Sequence, residues 1–372
     1  MSYKFHIPLP WPTIVGPLGA AEDALSRLDE RLRVSPIREG WIARTHFLDA
    51  CASAWVDGEL VHVEDLVLHD ANMDIRWPTH ELTRAHSVVR ARRRIFQEAP
   101  QWALSATGVN ALVGRVAVSG PAGQGAPGSD EEEFDGFDEE RVESFEMSDD
   151  DPLASQFAGL EAIGQRAKRL LSDMAAGPAE SRDPMIYDPD WDEKERLASW
   201  REALDDSESL PPLLGAAIAL LAWGEIEPLQ HRAWLGRLLV GAMLRARSRT
   251  RSHLLCLNTG LRLIPWERRR APDSTTKLVA VLDGFAEAAR WGMKEHDRWL
   301  LARRRLDRRL VGRRSNSSLP ALVELVIARP ILSTGLIARE LKVTPRAAQD
   351  LVVELDLREM TGRGRYRAWG IL

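Results

Sequence analysis

The sequence predicts a mainly α-helical protein: a multi-helix core followed by a C-terminal winged helix-turn-helix. Three observations predict it. Apolar residues recur at helical spacing through the middle of the chain, as in Trp234, Leu235, Leu238, Leu239, Ala242 and Met243, and again in Leu278, Val281, Leu282, Phe285 and Ala289. Alternating β-branched runs are scarce, and Leu60 to Val63 is too short to anchor a sheet. Residues 319–372 spell two short apolar-faced helices, a three-residue turn and a third helix.

That last segment can be read residue by residue. Leu319 to Ala328 forms the first helix, stopped by Pro330. Ser333 can cap the second, which carries Leu336, Ile337 and Leu341 on one face. Lys342-Val343-Thr344 makes the turn, with Thr344 as N-cap and Pro345 at the first helical position of the third helix. That helix buries Ala348, Leu351, Val352 and Leu355. Gly362 and Gly364 then allow a tight hairpin, and Arg363, Arg365 and Arg367 alternate along it as a basic wing would require. Most of the thirteen Trp residues lie in helical stretches, for example Trp223, Trp234 and Trp291, where core packing is their expected role.

The chain has 372 residues, of which 28 % are charged and 44 % hydrophobic, which excludes a collagenous, disulfide-stapled or wholly disordered protein. Two cysteines, Cys51 and Cys256, are too few for a disulfide framework or a cysteine-built zinc site. The N-terminus lacks the apolar stretch of a signal peptide, and the longest apolar run, Leu213 to Trp223, is about half of the roughly 20 residues a membrane span needs. A reducing cytoplasm, without membrane contact, is the expected setting. The net charge of −5 conceals an asymmetry: residues 1–231 hold 21 Lys and Arg against 42 Asp and Glu, whereas residues 232–372 hold 29 against 13. A basic C-terminal third suggests a polyanionic partner, or else pairing with the protein's own acidic part.

Composition also divides the chain. Ser119 to Ser129 is rich in Gly, Pro and Ala, and thirteen acids against one Arg follow between Asp130 and Asp151. Such a stretch cannot bury enough apolar area to offset its ordering entropy. The expected organisation is an N-terminal helical domain (1–116), an acidic linker (117–152), a helical core (153–312) and the winged helix-turn-helix (319–372), with a short polar break at Gly312 to Ser318.

The chemistry of the C-terminal module follows from its geometry. A recognition helix enters the major groove with its N-terminal residues at base edges, where Arg reads guanine and Gln reads adenine bidentately. Arg346 and Gln349 lie three apart on one face, opposite Leu351 and Leu355. Lys342, Arg363, Arg365 and Arg367 would meet phosphates. Double-stranded DNA is the expected partner, and a second copy of the chain is a further candidate. A protein-docking winged helix is the alternative. The stretch Leu336 to Thr344 (LIARELKVT) and the terminal wing resemble the winged-helix domains of bacterial transcriptional regulators. The layout is similar to bacterial proteins that pair a domain of unknown function with a C-terminal helix-turn-helix.

The wing, Met360 to Arg367, also resembles the one that follows many Fic (filamentation induced by cyclic AMP) domains. Pro211 to Leu239 (PPLLGAAIALLAWGEIEPLQHRAWLGRLL) is similar to the Fic core, in which a helix leads into His-Pro-Phe-x-x-Gly-Asn-Gly-Arg. Ile226, Pro228, Gly236 and Arg237 match that pattern. Glu227 stands at the catalytic histidine, Leu229 at the phenylalanine, and Gln230 to Ala233 contain no Gly or Asn. Ser53-Ala54-Trp55-Val56-Asp57-Gly58 resembles the inhibitory Ser-Ser-x-Ile-Glu-Gly of such proteins, with Asp57 for the Glu. The resemblance implies a degenerate Fic-like core. A carboxylate at 227 would repel nucleotide phosphates, and without glycines the backbone cannot approach them, so no catalytic residue and no cofactor are assigned. AMP transfer by an aberrant motif, and a protein-interaction scaffold, are the alternatives to DNA binding.

Other patterns carry less. Gly123-x-Gly125-x-x-Gly128 matches a dinucleotide fingerprint by spelling, but contains Pro127 and runs into Asp130-Glu131-Glu132-Glu133. His62, His69, His80 and His86 lack the spacing that places two ligands on one helix face, so no metal site is expected. Arg245, Arg247, Arg249 and Arg251, and the cluster from Arg303 to Arg314, read as solvated helix faces. Phosphate contact is an open alternative for the second cluster, which leads into the winged helix.

Overall fold

The computed structural model describes residues 9–73, 77–114, 188, 191–312, 317–360 and 367–371. The acidic stretch 117–152 and the glycine-rich 123–128 lie outside the described residues, as does most of the 312–318 break. The architecture is mainly helical. The first group comprises α1 (Trp11–Arg33), α2 (Arg38–Val56), α3 (Val63–Asp70), α4 (His80–Gln97), a 3-10 turn (Trp102–Leu104) and α5 (Ala106–Val113). The second comprises α6 (Glu193–Asp206), α7 (Pro212–Ile226), α8 (Ala233–Ala246), α9 (Leu257–Leu263), α10 (Trp266–Arg269) and α11 (Ser274–Leu310). The C-terminal module is α12 (Leu319–Ala328), β1 (Leu332–Ser333), α13 (Thr334–Leu341), α14 (Pro345–Glu354), β2 (Arg358–Glu359) and β3 (Ala368–Gly370).

Side-chain caps start several helices. Thr79 Oγ1 accepts from Leu82 N at 3.3 Å to open α4, Ser105 Oγ accepts from Gly108 N at 3.0 Å to open α5, and Asp273 Oδ1 accepts from Thr276 N at 2.7 Å to open α11. Leu60 to Val63, too short for a strand, leads into α3.

Helix α11, 37 residues and thus about 55 Å long, is the spine. It packs on α1, α7, α9 and α10 and reaches α12 at its C-terminal end. Two glycines permit close approaches at this spine. A Cβ on Gly260 of α9 would lie 2.0 Å from the carbonyl oxygen of Gly284 in α11, and one on Gly292 would lie 2.8 Å from Leu28 Cδ2 of α1. Trp41 Nε1 of α2 donates to Gly292 O at 3.3 Å. The N-terminal helices and the 193–310 helices therefore share one hydrophobic core. The division between 1–116 and 153–312 is one of chain and composition; it is not a division of packing, because α1 and α2 bury their apolar faces against α11 and α9.

The tryptophans do not all pack inside. Trp41, Trp200 and Trp299 are fully buried, but Trp11, Trp55, Trp77 and Trp266 are more than a third exposed. Helical spacing identifies a helix without fixing which neighbours cover each side: Trp55 sits at the C-terminal end of α2, and Trp266 opens the four-residue α10, which buries no residue.

Candidate nucleic-acid interface

The helix-turn-helix forms as its caps dictate. Ser333 Oγ accepts from Leu336 N at 3.2 Å to start α13, and Thr344 Oγ1 accepts from Ala347 N at 3.2 Å to start α14, with Pro345 next. Lys342 closes α13 in the left-handed region at φ +53°, which turns the chain, and Val343 N donates to Ala338 O at 3.0 Å. Leu336 and Ile337 of α13 pack with Ala348 and Val352 of α14 and with Leu355, all buried. Lys342, Arg346 and Gln349 are exposed, and among the described residues none of the three side chains has a hydrogen-bond or ion-pair partner. They occupy the turn and the solvent face of α14.

The wing is a three-stranded antiparallel sheet in the order β1-β3-β2, with Leu332 opposite Trp369 and Arg358 opposite Gly370. Arg363 and Arg365 lie outside the described residues. Arg367 does not stand free: its Nε donates to Glu359 Oε2 at 2.8 Å and its guanidinium lies over Trp369, 5.7 Å from the ring centroid. The hydrogen bond to Glu359 raises the Arg367 pKa. Arg358 on β2, which the sequence pattern does not single out, is exposed, and its guanidinium has no partner among the described residues.

The basic clusters divide. Arg245 donates to the carbonyls of Ile95 and Glu98, Arg247 to those of Glu208 and Leu210, and Arg249 pairs with Glu22. These three tie helix ends and chain segments together and are not a solvated face. In α11, Arg303 pairs with Asp307 and Glu324, and Arg309 donates to Leu355 O and Asp356 Oδ2 at 2.8 and 2.7 Å. Arg304, Arg305 and Arg308 are exposed and carry no partner among the described residues.

The module is docked firmly on the helical body. Arg44 of α2 is buried, and its Nη1 donates to Val326 O at 3.0 Å and Arg329 O at 3.1 Å, while its Nη2 donates to Pro330 O at 3.4 Å and Ile371 O at 3.1 Å. Its guanidinium also lies over Trp299 of α11 at 4.9 Å. Burial, with Arg298 nearby, pushes its pKa down to about 9, so it remains a cation at neutral pH. Beside it, Asp70 accepts from Arg93 (2.6 and 2.9 Å), from Arg329 of the C-terminal module (2.8 Å) and from His86 (3.2 Å). Burial alone would raise the Asp70 pKa; the hydrogen bonds from His86, Arg93 and Arg329 outweigh it and hold the carboxyl well below the usual range. Arg339 Nη1 completes the seam by donating to Ala71 O at 2.6 Å.

A second polar constellation runs through the body. Arg92, buried, donates to Asp49 Oδ2 at 2.6 Å, and Asp49 also accepts from Asn258 Nδ2 at 2.8 Å and Thr259 N at 3.2 Å. Asn258 Oδ1 accepts from Arg237 Nε at 2.6 Å, and Arg237 Nη2 donates to Asp57 Oδ2 at 2.8 Å and Ser53 Oγ at 3.0 Å. Ser53, Asp57 and Arg237, far apart in sequence, thus meet. Gly58 follows at φ +87°, ending the segment with a conformation that favours glycine. Glu227 and Pro228 are elsewhere. Glu227 caps α7 at φ +46° and lines a cleft of about 440 Å3 with Trp191, Trp223, Gly224, Leu229 and Gln230. That cleft shares no residue with the Arg237 constellation. Gly236 serves packing: a Cβ there would lie 2.3 Å from Trp223 Cγ. The sequence reading missed Asp49, Arg92, Arg44 and Asp70. One signal was present: Asp49, Ser53 and Asp57 recur every fourth residue, a polar stripe along the C-terminal half of α2. No group of three metal-binding side chains occurs among the described residues.

A model described as an HTH DNA binding domain matches residues 319–372, and one described as a protein of unknown function (DUF1612) matches residues 185–311. The chain is also similar to "Uncharacterized protein y4cF" of Sinorhizobium fredii (strain NBRC 101917 / NGR234), 46 % identical over 379 residues that cover 96 % of this chain and 97 % of that protein. The chain belongs to the family of that rhizobial protein. The DUF1612 match spans α6 to α11, and the HTH match spans α12 to β3. Asp49, Ser53, Asp57 and Arg92 lie outside both matches, so the Arg237 constellation joins the DUF1612 region to the N-terminal helices. Among the described residues no helix is long and apolar enough to cross a membrane.

Proposed function

We propose that this chain regulates transcription by binding duplex DNA through residues 319–372. The observation that carries the reading is the contrast between Lys342, Arg346 and Gln349, exposed and unpaired around α14, and the body's arginines, most of which hold carboxylates or carbonyls. Arg346 and Gln349 would read base edges, whereas Lys342, Arg358, Arg363 and Arg365 would neutralise phosphates. Arg367 is withdrawn from that set by Glu359. A second copy of the chain, placing two α14 helices one helical turn of DNA apart, would fit a palindromic site.

Mobility shifts with specific and random duplexes test this. Arg346→Ala should relax base preference by about 1–3 kcal/mol at one position, whereas Lys342→Ala or Arg363→Ala should weaken all sequences alike and flatten the salt dependence. If the full chain ignores DNA at low salt, the reading fails.

The DUF1612 region we read as a catalytically inactive core resembling degenerate Fic proteins. The contact of Ser53 and Asp57 with Arg237 supports the resemblance. Glu227 in place of a base, and its position away from Arg237, support inactivity. Labelled ATP should transfer no nucleotide to this protein or to lysate proteins; AMP transfer abolished by Glu227→Ala would overturn the assignment.

A further inference from the structure

Away from the helix-turn-helix, the C-terminal end of α2 and the short α9–α10 corner build an exposed surface of indoles and guanidiniums. Trp55 is 39 % exposed, Trp266 59 % and Leu263 55 %. Arg262 and Arg269 lie over the Trp55 ring at 5.4 and 5.7 Å, and Arg270 lies over Trp266 at 5.9 Å. Among the described residues none of these three arginines meets a carboxylate. Arg269 is held by Ile264 O at 3.1 Å, and Arg268 is neutralised by Asp283 at 2.6 Å. Burial, and secondarily the like charges of Arg270 and Arg237, lower the Arg269 pKa.

Folding leaves such a surface uncovered at a cost, since large aromatic area is normally buried. Its chemistry selects among partners. Duplex phosphates need only cations, and the base faces of a duplex are stacked inside, so the exposed indoles would gain nothing from it. An unpaired strand offers both a polyanionic backbone and bare π-faces, and Arg and Trp together are the side chains that bind it. The surface is separate from the helix-turn-helix. Asp283, which holds Arg268, and Arg309, which holds Leu355, are 26 residues apart on the rigid α11, or about 39 Å.

We propose that Trp55, Trp266, Arg262, Arg269 and Arg270 form a second nucleic-acid surface that takes an unpaired strand, with bases stacked on the indoles and phosphates held by the guanidiniums. The site does not depend on the helix-turn-helix reading. Full-length protein would be titrated with labelled fifteen-nucleotide oligo-dT and oligo-U, with an abasic oligomer of equal length, and with a duplex. The proposal expects oligo-dT or oligo-U to bind with quenching of Trp emission. Trp266→Ala/Arg270→Ala should weaken that binding at least tenfold and leave duplex binding within twofold, which also shows that the variant is folded. Lys342→Ala/Arg346→Ala should do the reverse. Preference for oligo-dT or for oligo-U identifies the strand as DNA or RNA, and either supports the proposal. It is overturned if neither oligomer binds, if the Trp266→Ala/Arg270→Ala variant binds them as the parent does, or if the abasic oligomer binds equally well. It is also overturned if polyglutamate of equal charge competes as effectively, which would mark a surface for an acidic protein instead.

Discussion

Arg329 donates to Asp70 at 2.8 Å across the seam between the helix-turn-helix module and the helical body. Asp70 already carries Arg93 and His86 from α4, so one carboxylate gathers two guanidiniums and an imidazole from two parts of the chain. The module is therefore held by the body through charge as well as through packing, and its recognition helix keeps a fixed orientation to α2 and α11.

The folded Asp70 carboxyl is held well below its ordinary value by these hydrogen bonds. A depressed carboxyl contributes stability that is present above the unfolded pKa, near 3.9, and lost as pH falls toward the folded value. Thermal unfolding followed from pH 7 down to 2.5 should show the midpoint dropping below about pH 4. Asp70→Asn should lower the midpoint at neutrality and flatten that acid limb; an unchanged slope in the variant would show that Asp70 is not the titrating group.

Arg44 satisfies four carbonyls at the α12 end and beside β3, three of them in fully buried bonds. Replacing it with Met keeps most of the apolar stem and removes every donor. Leaving buried acceptors unpaired costs about 1–3 kcal/mol each when they cannot relax. We expect Arg44→Met to destabilise the protein by at least about 2 kcal/mol in urea titration and to speed tryptic cleavage in the 312–318 stretch. Equal cleavage rates would mean that the module is held by packing alone.

Asp49 and Arg92 form a fully buried ion pair at 2.6 Å. Removing one partner strands the other charge, which typically costs about 3–5 kcal/mol, whereas replacing both with apolar groups is often nearly neutral. Asp49→Ala should thus be much worse than Asp49→Leu/Arg92→Met, as measured by chemical denaturation. If the two are equally unstable, the network with Asn258 and Thr259, and not the charge balance, is what matters.

Two glycines offer a direct contrast. A Cβ on Gly236 would stand 2.3 Å from the Trp223 ring, whereas one on Gly19 of α1 meets nothing within 4 Å. Overpacking against an indole that is itself wedged on Trp200 at 5.0 Å should cost about 1–3 kcal/mol. Gly19→Ala should instead stabilise by about 0.5–1 kcal/mol, because alanine loses less backbone entropy in a helix. Opposite shifts in the thermal midpoint would confirm the assignment of Gly236 to packing.

The helix-turn-helix was legible because its determinants are local. Ser333, Thr344 and Pro345 act within a few residues, and the apolar faces of α13 and α14 follow the helical period. The candidate base-reading residues Arg346 and Gln349 could be named for the same reason: once a helix and its buried face are known, the opposite face is known too. A resemblance drew attention to Ser53, Asp57 and Arg237 separately, but neither it nor the spacing brought them together. Nothing near Arg237 in sequence announces α2 as its partner.

The sequence by itself determined the helical class, the capped recognition helix and the asymmetric charge, since these depend on periodicity, short-range hydrogen bonding and composition. Only the tertiary structure decided how the arginines are used. Arginine as a residue type ordinarily faces water, yet Arg44, Arg92, Arg237, Arg245 and Arg329 are each bound to an acceptor more than twenty residues away. Whether an arginine is a strut or a binding group depends on which carbonyls and carboxylates the fold brings within hydrogen-bonding reach of its guanidinium. That proximity is a property of packed helices, which the order of residues along one of them does not contain.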